Sequence, residues 1–347
     1  MLNEKQVLRS AGRDAISSFL QSRGVFELVR SSGRVVVFET HIPIQLAFYA
    51  LLEHESSAAP LWDSSRREFV GLMTITDFVD ILLHYHDKHG RTGAAIEVLA
   101  SRSIAQVLMD TTAGRHFKHA SEAPEQPGPK AVVDSERLVS VDANASLYDA
   151  CHAMRVNKRR FLPIVTSPQD CGILAVVTHV EILEYFVATF REERRLFDQP
   201  ICELGIGTFN EVVTVDIATP LRDVLKLLCT YDISSVPVVD KTGRILALYN
   251  RADITFLATA ADADSVVVNL GSSMEDVIQQ RRSDEPLYTC SKNATLQFVF
   301  ELFADVKFRR LICLDDNRKP VGVVSIRDLL SYFLDGLDWP DTSTSAC

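Results

Sequence analysis

A segment of about 50 to 60 residues recurs four times along the chain, and this repetition limits the possible folds more than any other feature. The repeats align on Pro60, Pro163, Pro237 and Ile312, at intervals of 103, 74 and 75 residues. Each has a short β-branched run, a turn and apolar residues at helical spacing before its anchor. After the anchor come a strand, a polar turn, a second strand and a final helix. We therefore predict β-α-β-β-α units with partly parallel sheets, which associate as two pairs because a lone unit would leave one sheet face exposed.

The repeat also sets the expected segment boundaries. The longest connection follows the first repeat, and its stretch SEAPEQPGPK predicts a Pro-rich loop. An amphipathic pattern near the start of the chain predicts a helix that packs against the first pair of repeats. The predicted division is an N-terminal helical extension at 1–33, repeats at 34–86, 136–190, 211–262 and 285–335, linkers at 87–135, 191–210 and 263–284, and a tail at 336–347.

Composition excludes several classes of protein. The chain is 47% hydrophobic and 24% charged, which is typical of a globular protein, and its net charge of −10 argues against a general nucleic-acid binder. The seven cysteines are scattered without a CxxC motif, which favours a reducing compartment over a disulfide scaffold or a zinc site. No signal peptide and no long apolar run is evident, so we expect no membrane partner and a location in the cytoplasm, and also in the nucleus.

The final helices begin with a shared polar pattern, in which a Thr, Asn or Ser is followed three residues later by an acid. The pairs are Thr74 and Asp77, Thr178 and Glu181, Asn250 and Asp253, and Ser325 and Asp328. One interpretation is a capping box, in which each side chain bonds the other residue's backbone N–H. The other is a ligand site, because the N-terminus of a helix attracts phosphate and an acid beside it can bind a ribose diol. The two interpretations are compatible, and the pattern alone leaves both open.

Several longer motifs fall in order between about residue 14 and residue 334. They are AAPLWDSSRREFVGLMTITDFVDIL, NASLYDA, NKRRFLPIV, ELGIGTF, VPVVDKTGRILALY and GVVSIRDLL. With these motifs the chain resembles proteins built from cystathionine-β-synthase-type (CBS) domains, and above all the gamma subunits of AMP-activated protein kinase. The resemblance implies an α/β fold of four tandem CBS repeats, paired into two Bateman modules that form a disc. It also implies a non-catalytic subunit with no cofactor, which binds AMP, ADP and ATP near the centre of the disc and joins a kinase alpha subunit and a scaffolding beta subunit.

The resemblance also assigns residues to the nucleotide pockets. The acids that match the ribose-binding position are Asp77, Asp253 and Asp328, whereas Glu181 departs from it. The implied nucleotide-binding residues are Thr74, Asp77, Thr208, Ser234, Ser235, Asn250, Asp253, Arg282 (or Arg281 if the register moves by one), Arg309, Arg310, Ser325 and Asp328.

Basic residues of the family are missing from the first two repeats. Ser57, Phe161 and Val180 occupy three of these positions, and Arg160 stands in the place of a histidine. We therefore predict that the pocket at Asp77 binds nucleotide poorly or not at all. Phe161 also weakens the pocket at Asp253, where the aromatic ring could fill the vacated space.

The fourth repeat keeps its positive charge. Arg309 and Arg310 replace a histidine–arginine pair, although Arg327 stands where the family has a serine. The pocket at Asp328 is therefore the best candidate for nucleotide binding, with a solvated basic turn as the alternative role of Arg309 and Arg310.

Four functions remain open from the sequence. The first is an adenine-nucleotide sensor in a kinase heterotrimer, and the second is a gamma-like scaffold that has lost sensing. The third is a free-standing CBS adaptor, and an enzyme ranks last because no nucleophile elbow, phosphate loop or kinase signature is present. The cluster His84, His86 and His89 could bind a metal, but a polar helix end explains it better.

Overall fold

The structure is a computed structural model of the chain. It describes residues 4–29, 35–54, 56, 58–89, 102–110, 132–135, 138–167, 172–190, 198–254, 270–280, 286–305 and 310–334. The predicted segment SEAPEQPGPK and the tail at 336–347 lie outside these residues. The described residues form three β-α-β-β-α units and, in repeat three, the β-α-β-β part followed by a 3-10 turn, which confirms the predicted α/β class.

The first half of the chain contains an N-terminal helix and two repeats. The N-terminal part consists of α1 (Glu4–Ser22) and a 3-10 turn (Val25–Leu28). Repeat one consists of β1 (Phe38–Glu39), α2 (Ile44–Glu53), β2 (Ala58–Asp63), β3 (Glu68–Thr74) and α3 (Ile75–His89), followed by α4 (Ile104–Asp110). Repeat two consists of β4 (Val132–Ser135), β5 (Leu138–Asp142), α5 (Leu147–Val156), β6 (Phe161–Val165), β7 (Ile173–Thr178) and α6 (His179–Thr189).

The second half repeats this order. Repeat three consists of β8 (Val215–Asp216), α7 (Leu221–Thr230), β9 (Ser235–Val239), β10 (Ile245–Asn250) and a 3-10 turn (Arg251–Asp253), followed by α8 (Met274–Gln280). Repeat four consists of β11 (Thr289–Cys290), α9 (Leu296–Asp305), β12 (Arg310–Leu314), β13 (Pro320–Ser325) and α10 (Ile326–Leu334). Most of the predicted final helix of repeat three lies outside the described residues.

Each repeat forms its own sheet with the same internal pairing. The strand before the crossover helix runs parallel to the strand after it, and this second strand forms an antiparallel hairpin with the last strand of the repeat. The second sheet has one strand more than predicted, because β4 from the expected linker pairs antiparallel with β5. Val132–Ser135 is a four-residue run that the repeat pattern does not include, which is why the sequence did not predict it.

The four repeats meet in a closed ring of contacts. The first two repeats touch through β3 and β5. The last two are joined by a backbone hydrogen bond from Ile245 N–H to the Arg318 carbonyl, at 3.0 Å. Helix α3 packs on α7, which joins repeats one and three, and α10 packs on α5 and α6, which joins repeats two and four. The ring results because the two predicted pairs of repeats also pack against each other through these helices.

Helix α1 packs against repeats two and four, which belong to different predicted pairs. Its buried residues Ile16 and Leu20 belong to the hydrophobic core shared by repeats two and four. The guanidinium of Arg13 lies 4.1 Å from the ring centroid of Tyr332 on α10. The expectation that this helix packs on the first pair is therefore correct only in part, because α10 of repeat four supplies much of the apolar surface that it covers.

Candidate functional site

The polar pairs at the final helix starts all form intrahelical bonds. The N–H of the capping residue donates to the acid at 2.7 Å in Thr74–Asp77, 2.9 Å in Thr178–Glu181, 2.9 Å in Asn250–Asp253 and 2.7 Å in Ser325–Asp328. Equivalent boxes also occur at other helix starts, at Ser146–Asp149 and at Ser273–Asp276. Capping alone therefore accounts for the sequence pattern.

Burial separates two of these acids, Asp77 and Asp253, from ordinary capping residues, whereas Glu181 and Asp328 are half-buried. Asp77 is 3% exposed and Asp253 is 8% exposed, whereas Asp276 is open to solvent. A carboxylate gains nothing as a cap from being buried, and burial of its charge is costly unless cations or donors compensate it. The positions of Asp77 and Asp253 therefore call for a further explanation.

The structure brings most of the predicted site residues of repeats three and four together. Arg310 pairs with Ser325 across the β12–β13 hairpin, and its guanidinium donates a hydrogen bond to the Ser234 hydroxyl of repeat three. Ser235 pairs with Asn250 across the β9–β10 hairpin in the same way. In both repeats the first residue of the second strand therefore lies beside the start of the final helix.

Thr208 lies on the edge of the sheet of repeat four, beside β13. Its N–H and carbonyl both bond Val323, at 2.9 Å each, so the inter-module linker adds one residue pair beyond β13. Val323 lies two residues before Ser325, which places Thr208 next to the predicted pocket of repeat four.

Arg160 lies where the charges of the other three repeats converge. Burial lowers the pKa of its guanidinium, Arg251 and Arg327 lower it further, and Asp232 and Asp77 raise it. These four partners come from repeats one, three and four. Together with Arg160 they bring three guanidinium groups and two carboxylates to the centre of the ring, and Arg251 also lies 3.8 Å from a carboxylate oxygen of Asp80.

His179 shares this environment. Burial lowers the pKa of its imidazole to about 4, and the positive charges of Arg327 and Arg160 lower it as well. His179 is therefore neutral at pH 7. A bound anion would reverse the effect of its cationic neighbours and favour the imidazolium form.

Arg251 is a buried arginine, 4% exposed. Its guanidinium donates to the Leu228 carbonyl and lies 3.8 Å from an Asp80 carboxylate oxygen. Its Nε–H has no partner among the described residues. Burial of a cationic donor in this state is costly, and an additional acceptor would stabilise it.

The positive charge of Arg159 interacts with Asp77. Burial lowers the pKa of Arg159, and the carboxylate of Asp77 raises it. Two positions where the resemblance leads us to expect basic residues have different surroundings: Phe161 pairs with Thr178 at a strand end, and Val180 packs against the core. Ser57, Arg281, Arg282 and Arg309 lie outside the described residues.

The sequence interpretation did not single out His179, Arg251 or Asp232. Arg327 stands in the first turn of α10, where the helix dipole disfavours a cation, and Arg251 likewise follows the cap residue Asn250 at the 3-10 turn of repeat three. This similarity is the local signal for Arg251. His179 is neutral at pH 7 and Asp232 lies in a turn, so neither of them carries it.

The histidine cluster near the end of α3 forms no metal site among the side chains that the structure describes. His84 stacks edge-on against Tyr85, and the Nδ1 of His86 lies 3.5 Å from Asp87. The side chain of His89 lies outside the described residues. Among all the residues that the structure describes, no helix combines the length and apolar character needed to cross a membrane.

Comparison with known proteins first defines the class. The CBS domain matches residues 131–188, 208–258 and 275–335, which correspond to repeats two, three and four. The structure is similar to the solved structure of a Methanocaldococcus jannaschii protein, a candidate archaeal homologue of gamma-AMPK. That match has a TM-score of 0.65 at 16% identity and covers 89% of this chain and 99% of the other, so it supports the fold alone. The chain therefore contains CBS domains at repeats two, three and four, and repeat one, which the CBS model does not match, has the same order of strands and helices.

Curated relatives narrow the class. The chain is 32% identical over 330 residues to the gamma subunit of 5'-AMP-activated protein kinase of Dictyostelium discoideum, an alignment that covers 93% of this chain and 53% of the relative. It is 27% identical over 325 residues to the gamma-3 subunit of Sus scrofa, covering 93% and 58%. The chain thus spans slightly more than half the length of these relatives. It is a homologue of the non-catalytic gamma subunits of AMP-activated protein kinase.

Proposed function

We propose that this chain is an adenine-nucleotide-sensing subunit of an AMP-activated protein kinase heterotrimer. In this proposal the phosphates of AMP, ADP or ATP bind at the centre of the ring, and a kinase alpha subunit and a scaffolding beta subunit are the partners. The observation that carries the proposal is the electrostatic environment of Arg160, whose guanidinium interacts with charged residues of the other three repeats.

An anion at the centre would relieve two costs at once. The positive charges of Arg160, Arg251 and Arg327 oppose one another, and burial of Arg251 and partial burial of Arg160 carry a desolvation cost, whereas Arg327 is exposed. A phosphate accepts several charge-assisted hydrogen bonds, each worth about 1.5–3 kcal/mol. The mutual repulsion of these guanidinium groups therefore favours an anionic ligand over a neutral one.

The pockets are not expected to be equal. The pocket of repeat four combines Arg310, Ser325 and Asp328 with Ser234 across the repeat boundary, which supports binding there first. The predicted weakness of the Asp77 pocket remains a prediction. Arg159 and Arg160 both act on Asp77 and offset part of the charge lost at the positions of Phe161 and Val180.

A gamma-like scaffold without sensing is the second candidate function. It is favoured by one observation, that the capping boxes at Ser146 and Ser273 satisfy the same pattern as the four final helix starts. In that case Asp77, Asp253 and Asp328 only cap helices, and the chain contributes surface to the complex.

Calorimetric titration separates the two functions. AMP, ADP and ATP are titrated into the purified chain, alone and with the alpha and beta partner fragments. The sensor predicts binding that Arg310→Ala weakens and that Arg222→Ala, an exposed control on α7, leaves unchanged. A folded chain that gives no heat with any of the three nucleotides would support the scaffold.

The complex itself requires a separate test. Co-expression of the chain with tagged alpha and beta subunits should recover all three proteins in one complex on size-exclusion chromatography. A chain that elutes alone would instead support a free-standing CBS adaptor.

A further inference from the structure

Two cysteines face each other across adjacent strands of repeat four. Cys290 on β11 pairs in register with Cys313 on β12, and the two strands are parallel. Their Sγ atoms lie 3.4 Å apart, so the two thiols are already in contact. The sulfurs of a disulfide lie about 2.05 Å apart, and a rotation of the two side chains would close a gap of this size without moving the strands.

The two thiols differ in accessibility and in acidity. Cys313 is 0% exposed and belongs to the core, whereas Cys290 is half-buried on the edge strand of its sheet. The hydrogen bond with Cys313 lowers the pKa of Cys290, and the same hydrogen bond together with burial raises the pKa of Cys313. Cys290 is therefore the thiol that reaches the thiolate form and meets a dissolved oxidant first.

We propose that Cys290 and Cys313 form a reversible, peroxide-sensitive disulfide. The Cys290 thiolate attacks a hydroperoxide, which gives a sulfenic acid at Cys290 and releases hydroxide or alkoxide. The Cys313 thiol then attacks that sulfur, forms the S–S bond and expels water. Each disulfide consumes one hydroperoxide, and a dithiol reductant restores both thiols. This site goes beyond the proposed nucleotide function and does not depend on it.

The position of the pair gives the disulfide a structural consequence. β11 is only two residues long and pairs with β12 through two residue pairs, so a covalent link would tie the edge strand to the centre of the sheet. A cytoplasmic disulfide of this kind is expected to be transient and redox-sensing rather than structural. A third thiol lies nearby, since Cys202 in the linker contacts Asn293 at 3.5 Å in the loop after β11. The test must therefore distinguish Cys313 from Cys202 as the partner.

Trypsin separates the thiols into different peptides, which makes the pair measurable by mass spectrometry. Cys290 falls in the peptide 283–292, Cys313 in 311–318, Cys202 in 196–222 and Cys151 in 138–155. The folded chain is treated with hydrogen peroxide, quenched, alkylated and digested. We expect a cross-linked species with the mass of peptides 283–292 and 311–318 less two hydrogen atoms, which dithiothreitol removes.

Cys151 is the internal control. It is buried in α5, and burial raises the pKa of its thiol to about 12. The Cys290 thiol should be lost at least about ten times faster than the Cys151 thiol. Equal rates, a Cys290–Cys202 cross-link, or conversion of Cys290 to sulfinic acid without any cross-link would each overturn the proposal.

Two conservative variants identify the roles of the thiols. In Cys313→Ser, Cys290 should still react with peroxide, and the sulfenic acid should be trapped by dimedone instead of forming the cross-link. In Cys290→Ser, Cys313 should stay reduced at the same peroxide concentration. Oxidation of Cys313 in Cys290→Ser at the wild-type rate would contradict the assignment of Cys290 as the attacking thiol.

Discussion

The half-buried imidazole of His179 makes the stability of the chain depend on pH in a predictable way. Its pKa is lowered from 6.5 to about 4 by burial and by the charges of Arg327 and Arg160. The unfolded chain therefore binds more protons at this residue than the folded chain between about pH 4 and pH 6.5. The His179→Gln variant keeps the polar side chain but cannot bind this proton, so it should lose this part of the pH dependence.

The sign and the size follow from the two pKa values. The stabilising contribution is fully present above the unfolded pKa of 6.5, is lost as the pH falls through the window, and changes no further below about 4. With these values, His179 alone should lower the free energy of unfolding by about 2 kcal/mol between pH 7 and pH 5.

Urea denaturation at pH 7 and pH 5, followed by circular dichroism, measures this difference. The wild-type chain should lose about 2 kcal/mol more than His179→Gln over that interval. The control His152→Gln should keep the wild-type pH dependence, because His179 remains. If His179→Gln and the wild-type chain change by the same amount within about 0.5 kcal/mol, the reasoning from burial and from Arg160 and Arg327 is wrong.

Four further predictions concern ligand binding and packing. Arg310→Ala should weaken AMP binding about ten- to a hundredfold in calorimetry, the loss of one charge-assisted bond, whereas the control Arg222→Ala should not change it. Asp328→Asn should weaken AMP binding about tenfold, whereas Asp276→Asn, which sits in an exposed box, should have no effect. AMP binding by the wild-type chain should take up protons near pH 6, measured in two buffers of different ionisation enthalpy, and His179→Gln should take up fewer. Gly322→Ala should destabilise the chain by about 1–3 kcal/mol in thermal unfolding, because the new Cβ would lie 2.6 Å from Cδ1 of Phe209, and Phe209→Leu should restore part of the loss.

The sequence predicted the repeat units well because local patterns determine them. The residue before each final helix caps that helix and is also the last residue of the hairpin, so one sequence motif marks both the end of the strand and the start of the helix. The hairpins around Pro60, Pro163 and Pro237 and the parallel first strands are therefore confirmed. The exception is β4, which arises from a short run within the expected linker and depends on the exposed edge of β5 rather than on a local signal.

The candidate site could be predicted only in part, because it depends on contacts between repeats. Alignment of the repeats gives equivalent positions, but it does not say which repeats face each other. Arg310 was expected to serve the pocket of repeat four, and the structure adds its hydrogen bond to Ser234 of repeat three. The grouping of Arg160 with Arg251 and Arg327 could not be derived from spacing, since these residues are far apart in the chain and meet only when the ring closes.

The two interpretations of the helix-start acids can now be separated by what each requires. At Asp77, Asp253 and Asp328 the capping hydrogen bonds go to one carboxylate oxygen, Oδ2. The other oxygen, Oδ1, takes no part in these capping bonds. Asp276 makes the same capping bonds while exposed to solvent, so burial is not needed for the cap. Asp77 is nevertheless buried, and its charge acts on Arg159 and Arg160. Capping thus explains why an acid stands three residues after each cap, and the guanidinium groups of Arg159 and Arg160 offset part of the cost of burying the carboxylate of repeat one.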